Sequence, residues 1–216
     1  MALSFGLDFG TTNTLVSLIR QDGSGAFHYV DNRIDAPHPS IVLYKGSTIT
    51  VGYDAKSQVN LENEILSMDD YVKSPKTLLG DENAKNPING REDISRIDIV
   101  SEVLKYLKDF VGSKGGLNRE LEHAVFTVPV SFNGKARQDL RDAANIAGIN
   151  VIYFIHEPLA ALYGHFRQQE NYKKVLNDYK NKYCLVFDWG GGTLDLTVCK
   201  IGNNVLNQIK SEGDVD

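Results

Sequence analysis

The chain has 216 residues, of which 42% are hydrophobic and 24% charged, and its net charge is -5. That is an ordinary globular balance, enough for one large domain or two small ones, and it argues against an electrostatic grip on nucleic acid or an anionic membrane. No apolar run approaches the ~20 residues of a membrane span, and residues 1–10 lack the basic-then-apolar pattern of a secretory signal.

Leu3, Phe5, Leu7 and Phe9 alternate with other residues and predict a strand. Gly10-Thr-Thr-Asn13 is a turn cluster, Leu15–Ile19 a second strand, Asp22–Gly25 another turn and Ala26–Val30 a third strand. Residues 31 to about 95 are rich in Asn, Asp, Pro and Lys, with short strands at Ile41–Tyr44 and Thr48–Val51, and read as a looser inserted subdomain. Val100, Val103, Leu104, Leu107 and Val111 follow helical spacing up to Gly112. Ala124–Val130 reads as a buried strand, Asn133–Ala147 as a helix closed by Gly148, and Val151–Ile155 as a strand. Strand, helix, strand is a crossover that makes part of the sheet parallel. One further helix is expected from about Pro158 to about Tyr179. A second meander follows: Tyr183–Phe187, the turn Gly190-Gly-Gly192, Leu194–Ile201, a turn at 202–204, and Val205–Ile209. Cys184 and Cys199 lie within this meander's apolar runs and read as buried free thiols in a reducing compartment, the cytoplasm, not as a disulfide or metal pair.

Phe5-Gly-Leu-Asp8-Phe-Gly10-Thr-Thr and Leu185-Val-Phe-Asp188-Trp-Gly190-Gly-Gly share one plan: a strand ends in Asp-aromatic-Gly, small residues follow, and a strand returns. Such an echo marks a duplicated fold. Glycines let a turn approach a ligand, and successive backbone N–H groups in such a turn form an anion nest. Thr11, Thr12 and Thr193 add hydroxyl donors. An aspartate at the strand end repels phosphate but can hold hydrated Mg²⁺ that bridges phosphate oxygens. Two such hairpins facing each other would clamp a polyphosphate. By position alone Glu157 reads as a helix-start charge favoured by the dipole, and Lys76 as an ordinary surface lysine.

Gly6–Asn13 resembles the first phosphate loop of the seventy-kilodalton heat-shock (DnaK-type) chaperones, and Phe187–Asp195 resembles their second. Thr127-Val-Pro-Val-Ser-Phe-Asn133, Arg137, Ala147–Asn150 and His156-Glu-Pro-Leu-Ala-Ala161 resemble the family's central block, in order and at near-family spacing. The resemblance implies an α/β, actin-like (ribonuclease H-like) ATPase fold. Residues 1–30 and 112–182 would form the core of the first lobe, 31–111 its inserted subdomain, and 183–216 the opening hairpins of the second lobe. The catalytic set would be Lys76, Asp8, Glu157, Asp188, Thr193 and Asp195. Gly10, Thr11, Thr12, Asn13, Gly190, Gly191, Gly192 and Thr193 would hold the phosphates. Asp8, Asp188 and Glu157 would hold Mg²⁺ through water, and Pro129 with Arg137 would relay nucleotide state. Implied cofactors are ATP or ADP, Mg²⁺ and K⁺. Implied partners are client polypeptides, a J-domain co-chaperone and a nucleotide exchange factor.

The resemblance also implies a third region, a final helix and a peptide-binding domain that these 216 residues do not contain. Residues 165–182 are longer than the family's usual link, residues 31–40 are slightly longer than its Arg-x-x-Pro-Ser stretch, and Lys76 follows a proline and lacks the usual following arginine. The last meander is therefore expected to expose apolar faces and to drive self-association. Three other readings share the hairpins. An actin-like filament protein would polymerise on ATP, a sugar or acyl kinase would need a catalytic aspartate in a substrate cleft, and a non-hydrolysing scaffold would keep only the fold.

Overall fold

In a computed structural model the described residues are 5–19, 25–61, 70–81, 88, 91, 93–114, 120–190, 193–203 and 205–215. The expected turn at Asp22–Gly25 falls almost wholly outside them, as do Gly191, Gly192 and the side chain of Thr193.

The main sheet is mixed. Strand β1 (Phe5–Phe9) pairs antiparallel with β2 (Asn13–Ile19), which pairs with β3 (Ala26–Tyr29) and, at its start, with the two-residue β4 (His38–Pro39). On its other edge β1 pairs parallel with β8 (His123–Val128), and β8 pairs parallel with β9 (Asn150–His156). The β8–β9 pair is the crossover read from the chain. Helix α3 (Gly134–Ile146) makes the connection, with Asn133 accepting from the Ala136 N–H as its N-cap.

Alternation along β1 sends Phe5, Leu7 and Phe9 to one face and Asp8 to the other. The apolar face packs against α2 (Arg96–Lys114) and α3, and Leu7, Phe9, Leu104, Phe126 and Leu140 are all fully buried there. Each such side chain contributes about 1.5–3 kcal/mol of burial. Between β4 and α2 lie β5 (Val42–Lys45), β6 (Thr48–Val51), α1 (Tyr53–Leu61) and β7 (Tyr71–Val72), where the small sheet β6-β5-β7 has its own cluster of Ile41, Leu43, Ala55 and Val59.

The long helix expected after Pro158 is two helices: α4 (Glu157–Arg167) and α5 (Tyr172–Asp178). The polar stretch 168–171 offers no apolar side chain to hold a continuous helix against the core. Strands β10 (Tyr183–Trp189), β11 (Thr193–Ile201) and β12 (Leu206–Val215) form an antiparallel sheet whose last strand runs beyond the expected Ile209. One face, with Cys199 and Ile201, packs on Leu162 and Phe166 of α4. The other leaves Tyr183, Leu185, Phe187 and Trp189 between 58% and 79% exposed. Both cysteines are free thiols, opposite one another on β10 and β11.

Candidate functional site

A cleft of about 850 Å³ lies between the two hairpins. The first hairpin contributes Asp8, Gly10, Thr11 and Thr12, and the second Asp188 and Gly190; Lys76, Pro129 and Glu157 complete the floor. Five segments far apart in the chain therefore meet in one place. Asn13 is an exposed residue at the start of β2, while Asp195 is buried behind the cleft, directly opposite Asp188. Arg137 lies behind the cleft as well and bonds to His156.

The first turn is held tightly. A side chain at Gly10 would collide with the Asn13 carbonyl oxygen, so only glycine closes this bend. Ser40, the serine that ends the stretch compared with Arg-x-x-Pro-Ser and to which the sequence reading gives no role, is buried beside it. Its hydroxyl donates to the Gly10 carbonyl at 2.9 Å, its N–H donates to the Thr12 carbonyl at 2.8 Å, and Thr14 Oγ1 lies 2.8 Å from its Oγ. The signal for it in the chain is the Pro39-Ser40 pair, and β4, which pairs with the first residues of β2, brings it there. The Thr127 hydroxyl on β8 donates to Asp8 Oδ1 and fixes the carboxylate at the cleft mouth.

Lys76 is not the surface lysine its spacing suggests. It sits in a short 3-10 turn, Pro75–Leu78, with 6% of its side chain exposed, and its ammonium lies 5.7 Å over the Phe132 ring. Its Nζ donates to Glu157 Oε1 at 2.6 Å. Glu157 opens α4, as the dipole reading required, and it also faces the cleft. Burial pushes the Glu157 carboxyl above the usual range; Lys76 pulls it down, while Asp8 and Asp188 push it up. Burial, then Asp188, pushes the Asp195 carboxyl up, with Lys76 opposing.

The turn bearing Lys76 has its own anchor. Gly80 has φ +85°, and a Cβ there would lie 2.8 Å from the Ala136 Cβ. Its N–H donates to Asp139 at 3.0 Å, and this fully buried carboxylate also takes Arg96 at 2.9 Å and Lys135 at 2.8 Å. Burial alone would raise the Asp139 carboxyl, but the bonds from Lys135, Arg96 and Gly80 hold it below the usual range.

Four carboxylates, Asp8, Glu157, Asp188 and Asp195, gather around one ammonium. Asp188 and Asp195 face each other across an antiparallel pair, where like charges are destabilising. Such a donor set suits a hard cation with oxygen ligands. Among the described residues no three acidic, His or Cys groups cage a metal directly, so water and phosphate would supply the rest of the shell.

A mixed sheet and a separate antiparallel sheet, each bringing an Asp-Gly hairpin to one acidic cleft, are the frame of an actin-like ATPase fold. The model of the Hsp70 protein family matches residues 4–216, and the chain belongs to that family. It is 32% identical to the chaperone protein dnaK of Gracilaria tenuistipitata over 233 residues, covering 99% of this chain and 35% of that protein. It is likewise 32% identical to a chaperone protein HscA homolog of Mannheimia succiniciproducens, covering 98% of this chain and 35% of the relative. To the chaperone protein DnaK of Deinococcus radiodurans it is 30% identical, covering 99% and 34%. The chain thus spans about a third of the length of the curated relatives it matches. Their family does not favour the filament or kinase reading.

Proposed function

We propose that this chain binds the phosphates of ATP with Mg²⁺ between its two hairpins, as the front part of a nucleotide switch of a DnaK-type chaperone. The observation that carries the reading is the convergence of Asp8, Thr11, Lys76, Glu157, Asp188 and Gly190 on one cleft. Backbone N–H groups and hydroxyls of the turn at 10–12 hold phosphate oxygens from one side, and residues 190–193 hold them from the other. Mg²⁺, held through water by Asp8, Asp188 and Glu157, would neutralise phosphate charge, with K⁺ beside it.

Lys76 spends one of its three N–H donors on Glu157 and keeps two for the attacking water and a phosphate oxygen. Glu157, Thr193 and Asp195 complete the set that orients this water. In the intact protein, water attacks the γ-phosphorus and ADP leaves, giving ADP and inorganic phosphate. Positioning and charge neutralisation carry most of that reaction. Pro129, on the cleft wall, and Arg137 behind it would pass nucleotide state outward. We read residues 1–30 and 112–182 as the lobe I core, 31–111 as its insert and 183–216 as the start of lobe II. The parent would act in the cytoplasm on client polypeptides, with a J-domain co-chaperone and an exchange factor.

Trp189, next to Asp188 and 79% exposed, reports on the site. Titration with Mg·ATP should change its fluorescence saturably, and both Asp8→Ala and EDTA should abolish the change. No response of the folded wild-type chain at millimolar Mg·ATP would overturn the reading.

A further inference from the structure

Arg137 does not end in the first lobe. Its Nη2 lies 3.1 Å from His156 Nε2. On the far side of the ring, His156 Nδ1 lies 2.7 Å from Gln208 Oε1 on β12. Gln208 Nε2 donates to Ser211 Oγ at 2.9 Å, and Ser211 Oγ lies 2.6 Å from Thr197 Oγ1 on β11. Thr197 is fully buried, on the same face of β11 as Asp195.

The chemistry of the partners fixes the direction of this chain. A guanidinium only donates, so His156 Nε2 must accept. The ring proton then sits on Nδ1 and donates to Gln208 Oε1, which turns the Gln208 amide nitrogen toward Ser211. The links from Arg137 through His156 and Gln208 to Ser211 each have one workable polarity. The last, between the Ser211 and Thr197 hydroxyls, can run either way. The first can be broken from α3 and the last from the second hairpin. The Nε atom of Arg137 is buried without a partner among the described residues, which leaves the Nη2 contact with His156 as the hydrogen bond described for this side chain.

We propose that His156 and Gln208 are positioning residues, forming a directed hydrogen-bond chain that sets the second hairpin, with Asp188 and Asp195, against Arg137 of the first lobe. Its use as a nucleotide relay rests on the function proposed above; its polarity does not.

Two of the tests need no nucleotide. Nitrogen-15 spectra of the wild-type chain at pH 8 should show His156 protonated at Nδ1, the less common tautomer of a free imidazole. Gln208→Glu keeps the acceptor and should keep that tautomer, whereas the double variant Arg137→Met/Gln208→Met should return the ring to the Nε2-protonated form. In addition, Arg137→Met in the first lobe should shift the Gln208 side-chain amide peaks in the second. An Nε2-protonated ring in the wild type, or unmoved Gln208 peaks in Arg137→Met, would overturn the proposal.

The third test reads Trp189 with Mg·ATP. Gln208→Met, which removes both the acceptor for His156 and the donor to Ser211, should raise the half-saturating concentration at least threefold. A wild type that responds alongside an unchanged Gln208→Met overturns the coupling and leaves the nucleotide reading intact. A wild type that ignores Mg·ATP sinks the nucleotide reading, and the two spectroscopic tests still decide the chain.

Discussion

Replacing Lys76 by methionine keeps the length and apolar stem of the side chain and removes the only cation that touches Glu157 in the cleft floor. Removing one member of a buried ion pair costs about 3–5 kcal/mol. Lys76 is 6% exposed but Glu157 keeps 19% of its side-chain surface in water, which places the expected cost near the low end, ~3 kcal/mol at pH 8. For a chain of this size each kcal/mol moves the melting temperature by about 2–4 °C, so the drop should be roughly 6–12 °C. The cost should depend on pH with a defined sign. Burial already raises the Glu157 carboxyl, and Asp8 and Asp188 push it further once Lys76 is gone. A carboxyl raised in the folded state binds a proton more readily there than in the unfolded chain. Stability therefore falls as pH rises from the unfolded value near ~4.3 through the raised folded value. The variant should recover most of its loss near pH 5, and Lys76→Met/Glu157→Gln should recover it at pH 8. Urea unfolding followed by far-ultraviolet dichroism measures all three. A Lys76→Met cost below ~0.5 kcal/mol at pH 8, or a double variant no better than the single, would refute the reasoning.

Asp139→Asn should cost roughly 3 kcal/mol in the same assay, because half-buried Arg96 loses its ionised partner in the core, while Lys135, 40% exposed, adds little. Gly80→Ala should destabilise by about 1–3 kcal/mol, through strain at positive φ and the crowding at Ala136. His38 is fully buried, its Nε2 donating to the Tyr29 carbonyl and its Nδ1 meeting the Tyr106 hydroxyl, and burial holds the ring below its ordinary value. The unfolded chain therefore takes up the proton first, and stability should fall as pH drops below ~6.5; His38→Gln should flatten that slope in urea titrations at pH 7.5 and 5.5. Sedimentation velocity should show wild-type chains associating through the exposed face of β10, and Leu185→Lys/Phe187→Lys should shift the distribution toward monomer; equal distributions would exclude that face.

How much of this was legible in the chain differs from residue to residue. The hairpins were, because Asp8-Phe-Gly10 and Asp188-Trp-Gly190 repeat a pattern whose physics is local: a strand end, a turn and an anion nest. The β8–α3–β9 crossover was legible too, since apolar periodicity changes from two to 3.6 and back. Lys76 was not, because its burial comes from the packing of Phe132 and from Glu157, 81 residues away, and no local pattern carries that. Asp139 left a signal that could have been used. It lies on the helix face of Ala136, Leu140 and Ala143, where a carboxylate must find partners or not be there. The break between α4 and α5 has neither glycine nor proline at 168–171 to mark it.

The charge of the cleft limits how it can work. Asp8, Glu157, Asp188 and Asp195 set four carboxyls against the single ammonium of Lys76, and Lys76 is already committed to Glu157. Two unit charges at ~4 Å interact by about 4 kcal/mol at the effective dielectric of a protein surface. A triphosphate brought alone to this floor would meet several such repulsions, against backbone N–H groups and hydroxyls that carry only partial charge. Part of the acidity can be relieved by protonation, since burial raises both Glu157 and Asp195. The remainder needs a cation. Because the described residues build no direct cage for one, a divalent ion would be held well only with phosphate oxygens completing its shell. Nucleotide and metal would then be each other's condition for binding. If the cleft takes Mg²⁺ and nucleotide together as proposed, occupancy would draw on the Asp8 turn and the Asp188 turn at once, and loss of a phosphate would loosen both. On the function proposed above, that differential grip would let hydrolysis bias the protein between two shapes.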